Sequence, residues 1–172
     1  RLDPLELDGV PGTDASVDSL VDPTLENVRA NLPDDPVLQA ELTGWAARIR
    51  ERAGQTDEAR DLAEMQVDLL RDAGEATSTR YAAALAYLGG LNAEFGDKER
   101  AQSELTEALE IAQAAPLDDS EAFDALLSVA WAHEAEWQYQ RELFEATLPR
   151  ALAIHSVNGE IEVRSGLGRA LV

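Results

Sequence analysis

The chain contains no cysteine, so a disulfide framework, a thiolate metal knuckle and thiol nucleophilic chemistry are all excluded. Lysine is almost as scarce: Lys98 is the only one among 14 basic residues, the others being arginines. Aromatic residues make up 5% of the sequence and β-branched residues are sparse, which argues against a sheet-built core. No run approaches the roughly 18 apolar residues of a membrane-crossing helix. Positive charge is also in deficit, with 34 acidic residues giving a formal net charge of -20. Such a field repels phosphate backbones and anionic lipid surfaces, so nucleic acid and membrane are poor partners. Arginine almost without lysine, on an acidic background, fits either a GC-rich genome or a high-salt cytoplasm, where carboxylates keep the surface hydrated.

Ala, Leu, Glu, Arg and Gln dominate what remains, and all of them retain side-chain freedom in a helix. At 172 residues with 45% hydrophobic content, the chain has material for one buried core. Residues 1–23, with Gly9, Pro11, Gly12 and Pro23 among scattered acids, show neither helical nor strand periodicity and read as a loosely ordered acidic lead-in. Leu25, Val28 and Leu32 then share one face of a short helix over Thr24 to Leu32, which "NLPDDP" ends.

From there the sequence becomes rhythmic. Asp34 or Asp35 before Pro36 opens a helix stopped by Gly54, and Thr56 caps a second helix stopped by Gly74. A second hairpin starts at Thr77 or Ser78 and turns at Gly96. Asp97 caps its return helix, whose Ala101, Leu105, Ala108, Leu109 and Ala112 form an apolar stripe. A third opens at "DDSE", where Asp118 and Glu121 have capping-box spacing, and runs through "AFDALLSVAWAHEAEWQYQ" into "ELFEATLPRALAI". A further first helix begins near Asn158. Trp45, Tyr87 and Trp131 recur at nearly the same phase of a period of about 42 to 44 residues and read as core positions that mark the register, while Trp137 lies on another face and is the better surface candidate.

The segment "AYLGGLNAEFGDKERAQSELTEALEIA" places Leu88-Gly89, Gly96, Ala101, Leu105 and Ala108 at the spacings of the tetratricopeptide repeat family, which the chain resembles over about residues 34 to 172. The first hairpin keeps Gly54 and Ala59 but has Ala46-Ala47 in place of Leu-Gly. The third keeps Leu148 and Ala151 but lacks the turn glycine, and Leu167-Gly168 restores the pair at the end. The repeat is longer than the family's usual unit and is similar to the long variety of kinesin light chains and bacterial signalling regulators.

The resemblance implies an all-α fold, an α-solenoid of about three and a half stacked antiparallel hairpins at roughly 34–74, 76–115, 118–156 and a partial 158–172. It further implies a protein- or peptide-binding scaffold working through the concave face. The family's groove-facing phases fall on Glu41, Arg48 and Arg52 in the first hairpin and on Ala83, Ala86, Gly90 and Glu94 in the second. In the third they fall on Leu126, Val129, His133 and Trp137. The alternative is a helical sensor or regulatory domain of a larger signalling ATPase or transcription regulator. The first residue is Arg1 and the last segment, "GLGRALV", carries no stop signal, so a cytoplasmic piece of a longer protein is expected. Self-association is left open.

No cofactor, metal or enzymatic function is expected. His133 with Glu134 and Glu136 lacks the second histidine of a zinc helix, because Trp137 stands there. Asp34-Asp35 and Asp118-Asp119 sit where N-caps belong. The glycines of "GLGRAL" and "LGGLNAEFG" follow no strand and read as packing glycines rather than a phosphate cradle. Nothing assembles a nucleophile, base and oxyanion donor.

The charge of -20 generates a first expected outcome. The screening length falls from about 8 Å at 0.15 M salt to about 3 Å at 1 M, so most carboxylate repulsion between neighbouring helices is removed. The thermal midpoint should rise with sodium chloride over that range; a flat or falling midpoint contradicts a repulsion-limited fold.

Overall fold

The computed structural model describes residues 35–133 except 96, residues 136–169 with the Trp137 side chain excepted, and the isolated positions 21, 23 and 26. The expected helix over 24–32 and most of the lead-in lie outside the described residues. So do the turn glycine Gly96, Glu134 and the last three residues. Val21, Pro23 and Glu26 are helical, and Val21 is buried beside Ala46, with Ile49 and Leu62 packed around them. Val21 is therefore packed on the first hairpin.

Seven helices follow among the described residues: α1 Pro36–Arg52, α2 Thr56–Asp72, α3 Thr79–Phe95, α4 Lys98–Ala114, α5 Ser120–Ala132, α6 Trp137–Ala153 and α7 Val157–Arg169. Their ends follow from side-chain chemistry. Asp35 accepts from the Leu38 amide at 2.9 Å with Pro36 in the first turn, and Asp97 accepts from Arg100 N at 3.2 Å. Ser78 caps α3 through Tyr81 N at 3.1 Å. Gly54 and Gly74, both at φ 81°, supply the left-handed stops after α1 and α2.

Two expected caps shift by a residue. Thr56 is the first residue of α2 and its N-cap is Gln55, which makes no side-chain capping bond. At α5 the cap is Asp119, accepting from Ala122 N at 2.9 Å, rather than Asp118. The third hairpin also differs: the expected continuous helix through "WAHEAEW" stops at Ala132 and resumes at Trp137. A glycine-free turn closed by Glu136 N to His133 O at 3.0 Å joins the two.

The helices pair as antiparallel hairpins, α1 with α2, α3 with α4 and α5 with α6, and α7 packs on α6. This is an all-α helical-repeat fold. Crossings are lined by small residues: Ala40, Ala47, Ala63, Ala82, Ala108 and Ala122 are fully buried. A Cβ on Gly89 would lie 2.9 Å from Leu105 Cγ across the α3–α4 crossing, so only glycine permits that approach. Tyr81, Leu70, Leu88, Val129 and Phe144 fill the space between crossings.

Two polar clusters tie neighbouring helices. Arg100 of α4 bridges Glu64 of α2 at 2.6 Å and Glu104 at 2.8 Å, and Asn92 of α3 donates to Glu104 at 2.7 Å. Arg150 of α6, buried, donates to the carbonyls of Ala112 at 3.0 Å, Ala115 at 2.9 Å and Gln113 at 3.4 Å, and to Pro116 O. One guanidinium thus satisfies the orphan carbonyls at the α4 C-terminus, where the helix dipole also favours a cation. Replacing it leaves those acceptors buried without donors. Arg150→Met should lower unfolding free energy by about 2 to 4 kcal/mol; denaturant unfolding that moves by less than about 1 kcal/mol would remove this contact from the stability argument.

Candidate partner-binding surface

The first helices of the hairpins, α1, α3 and α5, share one face. Arg80 of α3 stands between two carboxylates, with Nε 3.2 Å from Glu41 of α1 and 3.4 Å from Glu121 of α5. Thr79 Oγ lies within hydrogen-bond distance of Glu121, at 3.0 Å, and of Asp119, at 3.2 Å. Further along, the Arg48 guanidinium lies 4.7 Å over the Tyr87 ring, and the Tyr87 hydroxyl donates to Glu51 at 2.9 Å. Burial first, then the bond to Glu51 and its charge, raise the Tyr87 hydroxyl above its ordinary value, against the opposing charges of Arg48 and Arg52. Tyr87 therefore remains a neutral donor at any physiological pH.

The phase of each residue on its helix decides what this face presents. Glu41, Trp45, Arg48 and Arg52 recur along α1, with Trp45 70% exposed. In α3 the matching positions are Ala83, Tyr87, Gly90 and Glu94, and above Gly90 a Cβ would meet nothing within 4 Å. Ala83 and Tyr87 are half-buried and Glu94 is exposed. Of the sequence-expected positions, Glu41, Arg48, Arg52, Ala83, Gly90 and Glu94 thus reach this face.

Ala86, Leu126 and Val129 do not. Ala86 and Val129 are fully buried and Leu126 is 4% exposed, because α3 and α5 pack directly on one another. The error in α5 has a simple geometric cause. The connection between α4 and α5, residues 115–119, is one residue shorter than that between α2 and α3, residues 73–78. Arg80 and Gly90 correspond to Glu121 and Trp131, 41 residues on, whereas the expected set used a spacing two residues longer. Two residues rotate an α-helix by about 200°, which exchanges face for core. The residues that α5 presents are Glu121, Asp124, Ser128 and Trp131.

His133 leaves the face for a different reason. α5 ends before His133, whose Nδ1 donates to Val129 O at 2.8 Å and whose ring meets Tyr139 edge-on at 5.0 Å. His133 and Tyr139 line a cleft of about 260 Å³ between α4, α5 and α6, floored by Leu105, Leu109 and Val129. Trp137 begins the second helix of its hairpin, and its side chain lies outside the described residues. The aromatics expected as core divide likewise: Tyr87 and Trp131 are half-buried, but Trp45 is exposed. Trp131 packs edge-on against Phe144 at 4.9 Å, with the Arg169 guanidinium 5.4 Å over its ring.

Sequence reasoning missed Arg80, Trp45 and Asp124 as members of the face. Trp45 was legible as one turn from Glu41 and Arg48 on the same stripe; the lateral ion pairs of Arg80 were not. No group of three or more candidate metal ligands exists among the described residues. No described helix is long and apolar enough to cross a membrane.

No family model and no curated protein sequence matches the chain. Its fold is similar to the crystal structure of BtubC (BKLC) from P. vanneervenii, with a TM-score of 0.64 and 16% sequence identity over 91% of this chain and 71% of that one. At that identity the likeness is one of helical-repeat fold alone.

Asp124 supplies a test of the electrostatics. It is open to solvent on one side, yet loss of hydration raises its carboxyl above its ordinary value of 3.8, the charge of Arg48 opposing and those of Glu162 and Glu121 adding to the rise. A raised folded value means that ionisation costs stability at neutral pH, a cost relieved as pH falls through the folded value and gone below the unfolded one. Asp124→Asn should therefore melt above the wild type at pH 7, and the difference should close as pH falls toward about 4. An Asn variant that melts lower at pH 7 would show that Arg48 holds the carboxylate as a net stabilising pair.

Proposed function

We propose that the chain is a tetratricopeptide-like scaffold that binds a protein or peptide segment across the face shared by α1, α3 and α5. The observation that carries this reading is Trp45, a tryptophan 70% exposed on the same stripe of α1 as Arg48 and Arg52. A free-standing tryptophan costs the isolated molecule apolar exposure and returns it when a partner covers it. Arginine beside it adds planar, bidentate recognition of carboxylates.

The chemistry narrows the ligand. Arg80 is already shared between Glu41 and Glu121, and Arg48 is stacked on Tyr87. Arg52, exposed on the last turn of α1, is placed to meet an incoming charge. Open space over Gly90 admits a ligand backbone. A segment with an acidic residue near Arg52 and an apolar or aromatic residue on Trp45 fits best. In tetratricopeptide repeats the first helices line the concave side, which agrees with this face as the docking side.

The test uses a segment recovered by chemical crosslinking from the source cell, titrated calorimetrically into wild type, Trp45→Ala and Arg52→Glu. Both variants should keep wild-type helicity, since both side chains are exposed. Each should weaken binding by about 1 to 3 kcal/mol, Trp45→Ala through lost burial and Arg52→Glu through a lost charged contact. If both fold and both bind as the wild type does, the face is not the docking surface.

A further inference from the structure

The two junctions between complete hairpins use matching positions with different chemistry. Glu64 of α2, Asn92 of α3 and Arg100 and Glu104 of α4 close the first, through Arg100 to Glu64 at 2.6 Å, Arg100 to Glu104 at 2.8 Å and Asn92 to Glu104 at 2.7 Å. Aligning the starts of α2, α4 and α6, at Thr56, Lys98 and Trp137, puts Thr106 in the place of Glu64, Tyr139 in that of Arg100 and Leu143 in that of Glu104. The 41-residue step from α3 to α5 puts His133 in the place of Asn92. The buried residues agree with this register, since Leu105 then matches Phe144 and Ala112 matches Ala151. Both carboxylates and the arginine are thus replaced in the second junction, and the bridge has no counterpart there.

The cleft of about 260 Å³ stands in that place, with Thr106, His133 and Tyr139 in its wall. A described hairpin flanks it on each side, α4 belonging to one and α5 and α6 to the next. Its floor of Leu105, Leu109 and Val129 is apolar. Tyr139 adds a half-buried ring, set edge-on to His133 at 5.0 Å. The Nδ1 proton of His133 is committed to Val129 O at 2.8 Å, and the Thr106 hydroxyl proton to Gln102 O at 2.7 Å, so the Thr106 oxygen remains as an acceptor. Glu136, exposed, is the one carboxylate of the lining.

An apolar floor, an aromatic wall and a single carboxylate at the rim suit a small cation with an apolar body. The body loses its exposure to water on the leucines and valine, and the charged head meets the carboxylate and the tyrosine ring. The net charge of -20 draws cations toward the surface and repels anions. The volume falls below the roughly 300 to 1,000 Å³ of sites for drug-sized molecules, which limits the body to about one ring. We propose that the cleft between α4, α5 and α6 is a binding site for a small arylalkylamine, its ring on Leu105, Leu109 and Val129 and its ammonium at Glu136.

The chain has two histidines, His133 in the cleft and His155 outside its lining. Their imidazole C–H proton resonances, assigned with a His155→Asn variant, therefore read the site with an internal control. Phenethylamine titrated into the 172-residue chain to about 20 mM, in about 0.15 M sodium chloride, should move the His133 resonance saturably, with half-saturation at about 0.1 to 5 mM, and leave His155 in place. Phenylacetate, with the charge reversed, and ethylamine, without the ring, should each bind at least about tenfold more weakly. Glu136→Gln should weaken phenethylamine by about threefold to tenfold. Thr106→Glu/Tyr139→Arg, which rebuilds the ion pair of the first junction, and Thr106→Trp, which fills the cleft from an exposed position, should each abolish the shift while circular dichroism stays that of the wild type. Trp45→Ala should bind phenethylamine as the wild type does, which separates this site from the peptide face. The proposal is overturned by the absence of a saturable His133 shift, or by equal shifts of His133 and His155, which would mean a cation held by the acidic surface alone. It is equally overturned by phenylacetate binding as tightly, by Glu136→Gln binding unweakened, or by a folded Thr106→Trp variant that binds as the wild type does.

Discussion

Everything in this molecule depends on how closely its helices approach, and alanine and glycine set that distance. A hairpin with an alanine-lined face buries little by itself, because each small side chain removes little area from water. Close approach compensates: backbones move together, and Leu, Tyr, Val and Phe between the crossings become fully enclosed. Ala47, Ala82, Ala108 and Ala122 have no exposure at all, and Gly89 sits against Leu105 with no room for a methyl group. Stability is therefore a property of neighbours rather than of any single helix.

The polar groups complete what packing begins. Arg150 ends α4 from a helix in the following hairpin, and Arg100 joins α2 to α4 through two glutamates. Across the first helices the spacing is less uniform. α3 and α5 are in direct contact, whereas α1 meets α3 through side chains, by Glu41 with Arg80 and by Arg48 and Glu51 with Tyr87. That looser junction leaves Trp45 exposed and Gly90 uncovered, so the same irregularity that weakens one contact creates the candidate surface.

Most of the fold was legible because its signals are local. Gly54 and Gly74 mark stops through backbone conformation, Asp97 and Ser78 mark starts through one hydrogen bond, and the alanine stripe of α4 marks a buried side. Asp118 was misread as the cap of α5 because Asp119 beside it offers the same carboxylate, and only the backbone path chooses between them. The candidate face was legible in α1 and α3, where a constant period carried the phase forward. It failed in α5, where the true spacing is two residues shorter than the expected one and the helix is turned by about 200°. Ala86 was lost for another reason: it lies on the edge of the stripe where α5 packs, a fact held by tertiary contact and not by spacing. Arg80, through Glu41 and Glu121, and Asp124, through Arg48 and Glu162, acquire their roles from partners distant in the sequence, which no local pattern records.

The unequal junctions between hairpins have a mechanical meaning. Under tension applied along the stack, load passes through each junction in series, and the least adhesive one yields first. Between α3 and α5 the load meets interlocked side chains out of contact with water, reinforced by the Arg150 clasp on the end of α4. Between α1 and α3 it meets an arginine stacked on a tyrosine and a few carboxylate contacts open to solvent. The first hairpin is held to the later ones through α2 as well, which packs on α3 and whose Glu64 is bridged by Arg100 of α4. A segment gripped at Trp45 and Arg52 would add a further tie across the junction where α1 and α3 meet only through side chains.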